Sequence, residues 1–286
     1  MALSKNAKLG IGLTFASIAL SITLALTMGS APAAPPKIKP SKPPKPEPQP
    51  QPPPAKPALT TFAGMQGRIL EVNVSPNEPA PLIVALHGRD ADEDQLSKML
   101  SEGKINGRIL LLRGPLQGPK GWRYFDPFFT DSNAILAPAI EKAADQVAAA
   151  IVEVENKLKT DGTYYGTSVM GYDQGAAIAY ALAARDIGGE LSSHYVMIAG
   201  MLPPSLYPSA DNPDRWTNIT LAMVHGSADL TISLKEAQAT FAAFIGKGPP
   251  SPPAAVTTPK IRSFVVEGGT HALATLAPTI QAIIND

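Results

Sequence analysis

The sequence predicts an α/β fold built on a mostly parallel, doubly wound sheet, and three observations carry that expectation. From about residue 59 onward, short runs of Val, Ile and Leu recur along the chain. Helical stretches of ten or more residues separate them, the pattern of parallel strands buried on both faces. The composition, 44% hydrophobic and 17% charged, supplies enough apolar surface for one large core within 286 residues.

Taken in chain order, the first element is "LGIGLTFASIALSITLALTM", residues 9–28, which holds no charge over twenty positions. A helix needs roughly twenty such residues to cross a bilayer core, whereas the apolar part of a cleaved secretory signal spans about 7 to 15. Residues 1–30 are therefore expected to be a membrane anchor in preference to a cleaved signal. Were the segment cleaved, the protein would be secreted. Lys5 and Lys8 precede the segment with no acidic residue, which places the N-terminus in the cytoplasm and the rest in the periplasm or outside.

Residues 31–58 form a proline-rich linker, with thirteen of the thirty prolines between Pro32 and Pro57. Proline lacks the N–H donor and fixes φ, so neither helix nor central strand forms there. As polyproline II, at about 3.1 Å per residue, the stretch reaches roughly 80 Å and serves as a stiff spacer. Its Pro-x-x-Pro spacings also suit an aromatic-lined groove, leaving an envelope protein partner open. Residues 1–57 carry seven Lys against one Glu, whereas the remainder carries 17 Lys/Arg against 23 Asp/Glu. So acidic a globular part excludes binding to a nucleic-acid backbone. No cysteine is present, which removes disulfides, thiolate chemistry and cysteine zinc sites; no metal or cofactor is expected.

The domain is expected over residues 59–286. Strands are predicted over 67–74, 81–88, 108–114, 166–171, 194–200, 219–226 and 261–268, with helical periodicity near 92–101, 134–159, 174–186, 234–246 and 271–284. The first strand alternates more than the others and reads as an antiparallel edge. In such a sheet, ligands gather beyond the carboxyl ends of the strands.

Those ends carry the chemistry. "PLIVALHG" stops at His87 and Gly88, and the next loop aims the backbone N–H of Arg89 toward an anion. "VMGYDQG" is a Gly-x-x-x-Gly turn with Asp173 at its apex and Gln174 opening an alanine-rich helix, where free amides and the helix dipole favour negative charge. "MVHGSADLTIS" delivers Asp229, "VVEGGTHAL" delivers His271, and "GWRYFDPFF" offers Trp122, Tyr124 and Phe125 as pocket walls beside His87 and Gly88. His87, His225 and His194 otherwise read as hydrogen-bonded structural residues. Ser168 lies within a strand, is expected to be buried, and is no substitute nucleophile.

The order of turn residue, Asp and His, together with the blocks "LHGRDADEDQL", "RGPLQGPKGW", "GYDQGAAIAYALAAR", "AGMLPPSLYP", "VHGSADLTISLKEA" and "GGTHAL", resembles the phospholipase/carboxylesterase group of α/β-hydrolases, which includes acyl-protein thioesterases. The resemblance covers about residues 81–286. It implies an α/β-hydrolase fold with Asp173, His271 and Asp229 in the triad positions and Arg89 and Gln174 as oxyanion donors. A small-molecule or lipid-like substrate or ligand is implied as well. The chain departs from the group at the elbow, where serine is expected and Asp173 stands.

That exchange changes the chemistry. An aspartate attacking an acyl carbon would form a mixed anhydride, higher in energy than the ester a serine makes. At a saturated carbon bearing a leaving group the product is an alkyl ester, which histidine-activated water hydrolyses while the oxyanion hole serves that second step. Branches of the fold that work this way carry an aromatic residue after the aspartate and a helical cap; here Gln174 follows, and the connection 200–218 is too short for a cap. Two readings follow: a hydrolase using Asp173, His271 and Asp229, or an inactive hydrolase fold serving as a binding or scaffold module of the cell envelope. Two carboxylates near His271 would favour an imidazolium ion pair.

Overall fold

The computed structural model of the chain describes residues 57–186, 189–208, 216, 218–246 and 260–285. The chain divides between Pro53 and Pro54, and every described residue belongs to the second unit, Pro54–Asp286. The uncharged segment 9–28 and the proline-rich stretch up to residue 56 lie outside the described residues.

The order of elements is β1 (Thr60–Phe62), β2 (Met65–Val72), β3 (Ala80–Leu86), α1 (Ser97–Glu102), β4 (Gly107–Leu112), β5 (Leu116–Gln117), β6 (Trp122–Arg123), α2 (Asn133–Thr160), β7 (Tyr164–Tyr172), α3 (Gln174–Arg185), β8 (His194–Ile198), β9 (Thr220–Gly226), α4 (Leu234–Phe244), β10 (Ile261–Val266) and α5 (Leu273–Asn285). Eight strands form one sheet in the order β1-β2-β4-β3-β7-β8-β9-β10. Within this sheet the β1/β2 and β2/β4 pairs are antiparallel and the others parallel, while β5 and β6 form a separate antiparallel ribbon. The sheet is the mostly parallel one that the apolar runs predict.

Those runs are continuous because both faces of the sheet are covered. Along β4, Leu110 and Leu112 enter the core shared with α2, α3 and α4, while Ile109 and Leu111 enter the core shared with α1 and α5. β3 divides in the same way, Val84 and Leu86 to one side and Ala85 to the other.

Three expectations are corrected. β2 is antiparallel but is not the edge, since β1 folds back on it through Ala63 and Gly64, both at positive φ as a tight hairpin turn requires. The helix expected near 92–101 shrinks to α1, because Asp92 Oδ1 accepts the Asp94 N–H at 3.1 Å and Glu93 is drawn into ion pairs with Arg68 and Arg113. Ser168 is half-buried rather than buried, paired with His194 at the end of the sheet opposite Asp173.

Candidate active site

The elbow between β7 and α3 is made possible by two glycines. A Cβ on Gly171 would lie 2.0 Å from the Gly175 carbonyl oxygen, and one on Gly175 would lie 2.2 Å from the Leu86 carbonyl oxygen. Only hydrogen fits at either position, so the strand, the turn and the helix close against each other and against β3. At the apex Asp173 takes φ 53° and ψ −112°, a conformation that costs a non-glycine residue on the order of 1–3 kcal/mol. Its N–H donates to the Ile198 carbonyl at 3.0 Å, which ties the apex to the end of β8.

The Asp173 side chain does not cap α3. It turns instead toward the loop after β3, where Oδ2 accepts the backbone N–H of Arg89 at 2.7 Å. The other oxygen, Oδ1, lies 3.7 Å from His271 Nε2. On the far side of the ring, His271 Nδ1 donates to Asp229 Oδ2 at 2.8 Å. A carboxylate only accepts, so the hydrogen sits on Nδ1 and Nε2 faces Asp173. Asp229 is buried and held by two backbone donors on Oδ1, Thr231 N–H at 2.8 Å and Ile232 N–H at 3.0 Å. This turn leads directly into the capping box of Ser233 and Glu236 that starts α4. Tyr172, the residue before the apex, donates its hydroxyl to the His271 carbonyl and sets its ring against the imidazole at 5.6 Å between centroids.

Burial opposes a charge on His271, but the hydrogen bonds and charges of Asp173 and Asp229 outweigh it and raise the imidazole above its ordinary value. The site therefore favours an imidazolium between two carboxylates.

Arg89 serves the site through its backbone alone. Its guanidinium turns away, donating to the Pro127 carbonyl at 3.0 Å and lying 3.8 Å over the Phe128 ring. The loop that carries it is braced at several points: Gln95 Oε1 accepts the Gly88 N–H at 2.7 Å, and Asp90 takes an ion pair from Arg123 at 2.7 Å. Glu93, buried at the end of the loop, pairs with Arg113 at 2.7 Å and also with Arg68. These two arginines hold its carboxyl down to about 2 against the opposing effect of burial. None of these brackets was assigned from sequence, since the partners lie on strands and loops remote from Glu93. Gly88 is required for approach: a Cβ there would lie 2.9 Å from the Tyr172 ring and 3.1 Å from Asp173 Cβ.

The expected pocket walls are placed differently. His87 is 1% exposed and fully engaged: Nε2 accepts the Gly114 N–H at 2.9 Å, Nδ1 pairs with the Gly88 carbonyl at 2.7 Å, and the ring stacks 4.7 Å from Tyr124. Burial lowers it below its ordinary value, consistent with a neutral structural ring. Tyr124 and Phe125 are buried in the core on the side of α2, α3 and α4, with the Tyr124 hydroxyl on the Leu112 carbonyl at 2.7 Å. Both face a separate cavity of about 320 Å³ beside α2. Trp122 is half-buried under the Arg113 guanidinium, 4.9 Å from its ring centroid. These residues support the loops around the site. Gln174 has two parts: its N–H opens α3, where first-turn amides have no intrahelical acceptor, while its side chain bonds Tyr124 N–H at 3.1 Å and the Phe125 carbonyl at 2.7 Å. Among the described residues, no group of three or more His, Asp or Glu side chains is arranged to hold a metal ion.

At the level of sequence, no protein-family model and no curated relative matches the chain. Solved structures do match its fold. A carboxylesterase from Mesorhizobium loti is similar at 18% identity and TM-score 0.57, covering 80% of this chain and 99% of its own. The protein TT1662 from Thermus thermophilus is similar at 19% and 0.58, covering 79% and 95%. The acyl-protein thioesterase 2 of Zea mays is similar at 19% and 0.55, covering 76% and 98%. With the sheet order, the elbow and these neighbours together, the chain has the α/β-hydrolase fold.

Proposed function

We propose that the domain is a hydrolase that works through an ester of Asp173, on a small or lipid-like substrate with a leaving group on a saturated carbon. The observation that carries this reading is the division of labour between the two oxygens of Asp173. Oδ2 already sits on the Arg89 N–H at 2.7 Å, while Oδ1 is turned toward His271. In the first step Oδ1 attacks the carbon, the carbon–oxygen bond forms, and the leaving group departs with its electron pair. In the second, water gives a proton to His271 Nε2 and its oxygen adds to the carboxyl carbon of Asp173. The negative charge then develops on Oδ2, where Arg89 N–H and the Gln174 N–H at the start of α3 stabilise it. Collapse expels the alcohol, which takes the proton back from His271; the second proton of the water then leaves the new carboxyl through His271 to solvent, and the carboxylate is restored. Asp229 keeps the proton of His271 on Nδ1 throughout.

The uncharged segment 9–28 and the proline-rich stretch 31–57 support an anchor and a spacer that hold this hydrolase outside the cytoplasmic membrane, with the spacer open to an envelope partner. Among the described residues no helix is long and apolar enough to cross a membrane.

Removing the base should trap the intermediate. His271→Gln keeps the nucleophile but cannot activate water, so incubation with a panel of alkyl esters, epoxides and alkyl halides should give a stoichiometric mass increase that peptide mapping assigns to Asp173. An unmodified Asp173 peptide across the panel would contradict the reading and favour a binding or scaffold role.

A further inference from the structure

His225, next to last in β9, is fully buried and has no part in the chemistry described above. Its Nε2 lies 2.8 Å from the Ile232 carbonyl oxygen and 3.4 Å from Asp229 Oδ2. Both neighbours are acceptors, so Nε2 carries the hydrogen; it donates to the Ile232 carbonyl and points its positive end into the neighbourhood of Asp229 Oδ2. Nδ1 is buried with no hydrogen-bond partner among the described residues. An unpaired buried nitrogen is a cost that a phenyl ring in the same space would not bear, so packing alone does not account for an imidazole here.

Asp229 Oδ2 thus lies between two imidazoles: it accepts the His271 Nδ1–H at 2.8 Å, and His225 Nε2, whose N–H goes to the Ile232 carbonyl, stands 3.4 Å from it. We propose that His225 is a positioning residue: its Nε2–H holds the Ile232 carbonyl, whose own residue donates to Asp229 Oδ1, and its positive end, 3.4 Å from Asp229 Oδ2, weakens that carboxylate's hold on the imidazolium. The positive end of an N–H dipole beside a carboxylate offsets part of its field, and the field offset is the one that would otherwise stabilise the proton on His271. The site needs that restraint, because Asp173 and Asp229 both favour the charged ring, and a base that never loses its proton cannot activate water. Burial lowers His225 below its ordinary value, which keeps it a neutral donor rather than a rival cation.

The groups facing His271 are Asp173 from the elbow, Asp229 from the loop after β9, and Tyr172 from the end of β7; Arg89 reaches Asp173 from the loop after β3. The inference rests on His271 and Asp229 forming the acid–base pair. It does not depend on covalent chemistry at Asp173.

The test is a pH titration of the imidazole ¹⁵N and ¹H resonances of the full chain in detergent micelles, for the wild type, His225→Phe and His225→Gln. The Phe variant is expected to move the His271 midpoint to higher pH and its Nδ1–H resonance downfield. Gln, whose terminal amide nitrogen reaches the place of Nε2, is expected to restore the wild-type midpoint. An unshifted His271 in the folded Phe variant, or equal shifts in both variants, would overturn the proposal. If the Phe variant does not fold, the wild type decides by itself: His225 must appear as the neutral Nε2–H tautomer, and the Nδ1–H tautomer would rule the positioning role out. Absence of turnover in the wild type, with the His271 shift present in the Phe variant and restored in the Gln variant, would count against the proposed function and leave this result standing.

Discussion

Exchanging Asp173 for Asn keeps the shape of the apex and an acceptor for the Arg89 N–H while removing one of the two charges that face His271 Nε2 and Nδ1. The native imidazole is raised above its ordinary value of 6.5. A group raised in the folded state contributes stability that is fully present below its unfolded value and is lost as pH rises through the folded one. Denaturant unfolding of the native protein should therefore show a loss of stability as pH climbs above about 6.5, and Asp173→Asn should flatten that decline. An unchanged slope in the variant would mean that Asp173 and His271 are not electrostatically coupled. This residue was legible in sequence by its place in "VMGYDQG", but its contact with Arg89 was not, because no spacing in the chain says which way a carboxylate at the apex turns.

At the scale of elements, the loop between β3 and α1 determines where the Arg89 N–H points, and Glu93 is its main bracket. The sequence 92–101 reads as helix because Leu96, Met99 and Leu100 repeat with helical spacing, and they do pack as one buried cluster. The start of the stretch is instead held as turns by Asp92 and by Glu93, whose partners Arg68 and Arg113 come from β2 and the residue after β4. Glu93→Gln leaves two cations partly buried without their carboxylate and should cost roughly 3 kcal/mol in urea unfolding. Because the carboxyl is held down to about 2 from 4.5, the deficit should be full above about pH 4.5 and shrink as pH falls toward about 2. A deficit that does not vary over that window would show that the arginines stabilise the loop by packing alone. The ribbon of β5 and β6 and the hairpin strand β1 escaped the sequence for a simpler reason: two or three residues are too few to show an alternation.

For the whole molecule, the sheet was readable because its interior strands are buried on both faces, so "RILLLRG" and "PLIVALHG" appear as unbroken apolar runs in the sequence. The aromatic residues of "GWRYFDPFF" were harder to read: Tyr124 and Phe125 are buried in the core, and apolar bulk near a strand end looks alike in sequence whether it faces a pocket or fills a core. Parallel strands brought Asp173, Asp229 and His271 to one end of the sheet, and the chemistry assigned to them rests on the Asp173 carboxylate becoming an ester and being hydrolysed at its own carbon. The most direct measurement is a single turnover in ¹⁸O water, with enzyme in excess over a substrate that forms the His271→Gln adduct. The ester mechanism requires one ¹⁸O atom in the Asp173 carboxylate and none in the released alcohol, whose oxygen comes from the enzyme. Label in the alcohol with an unlabelled Asp173 would contradict it.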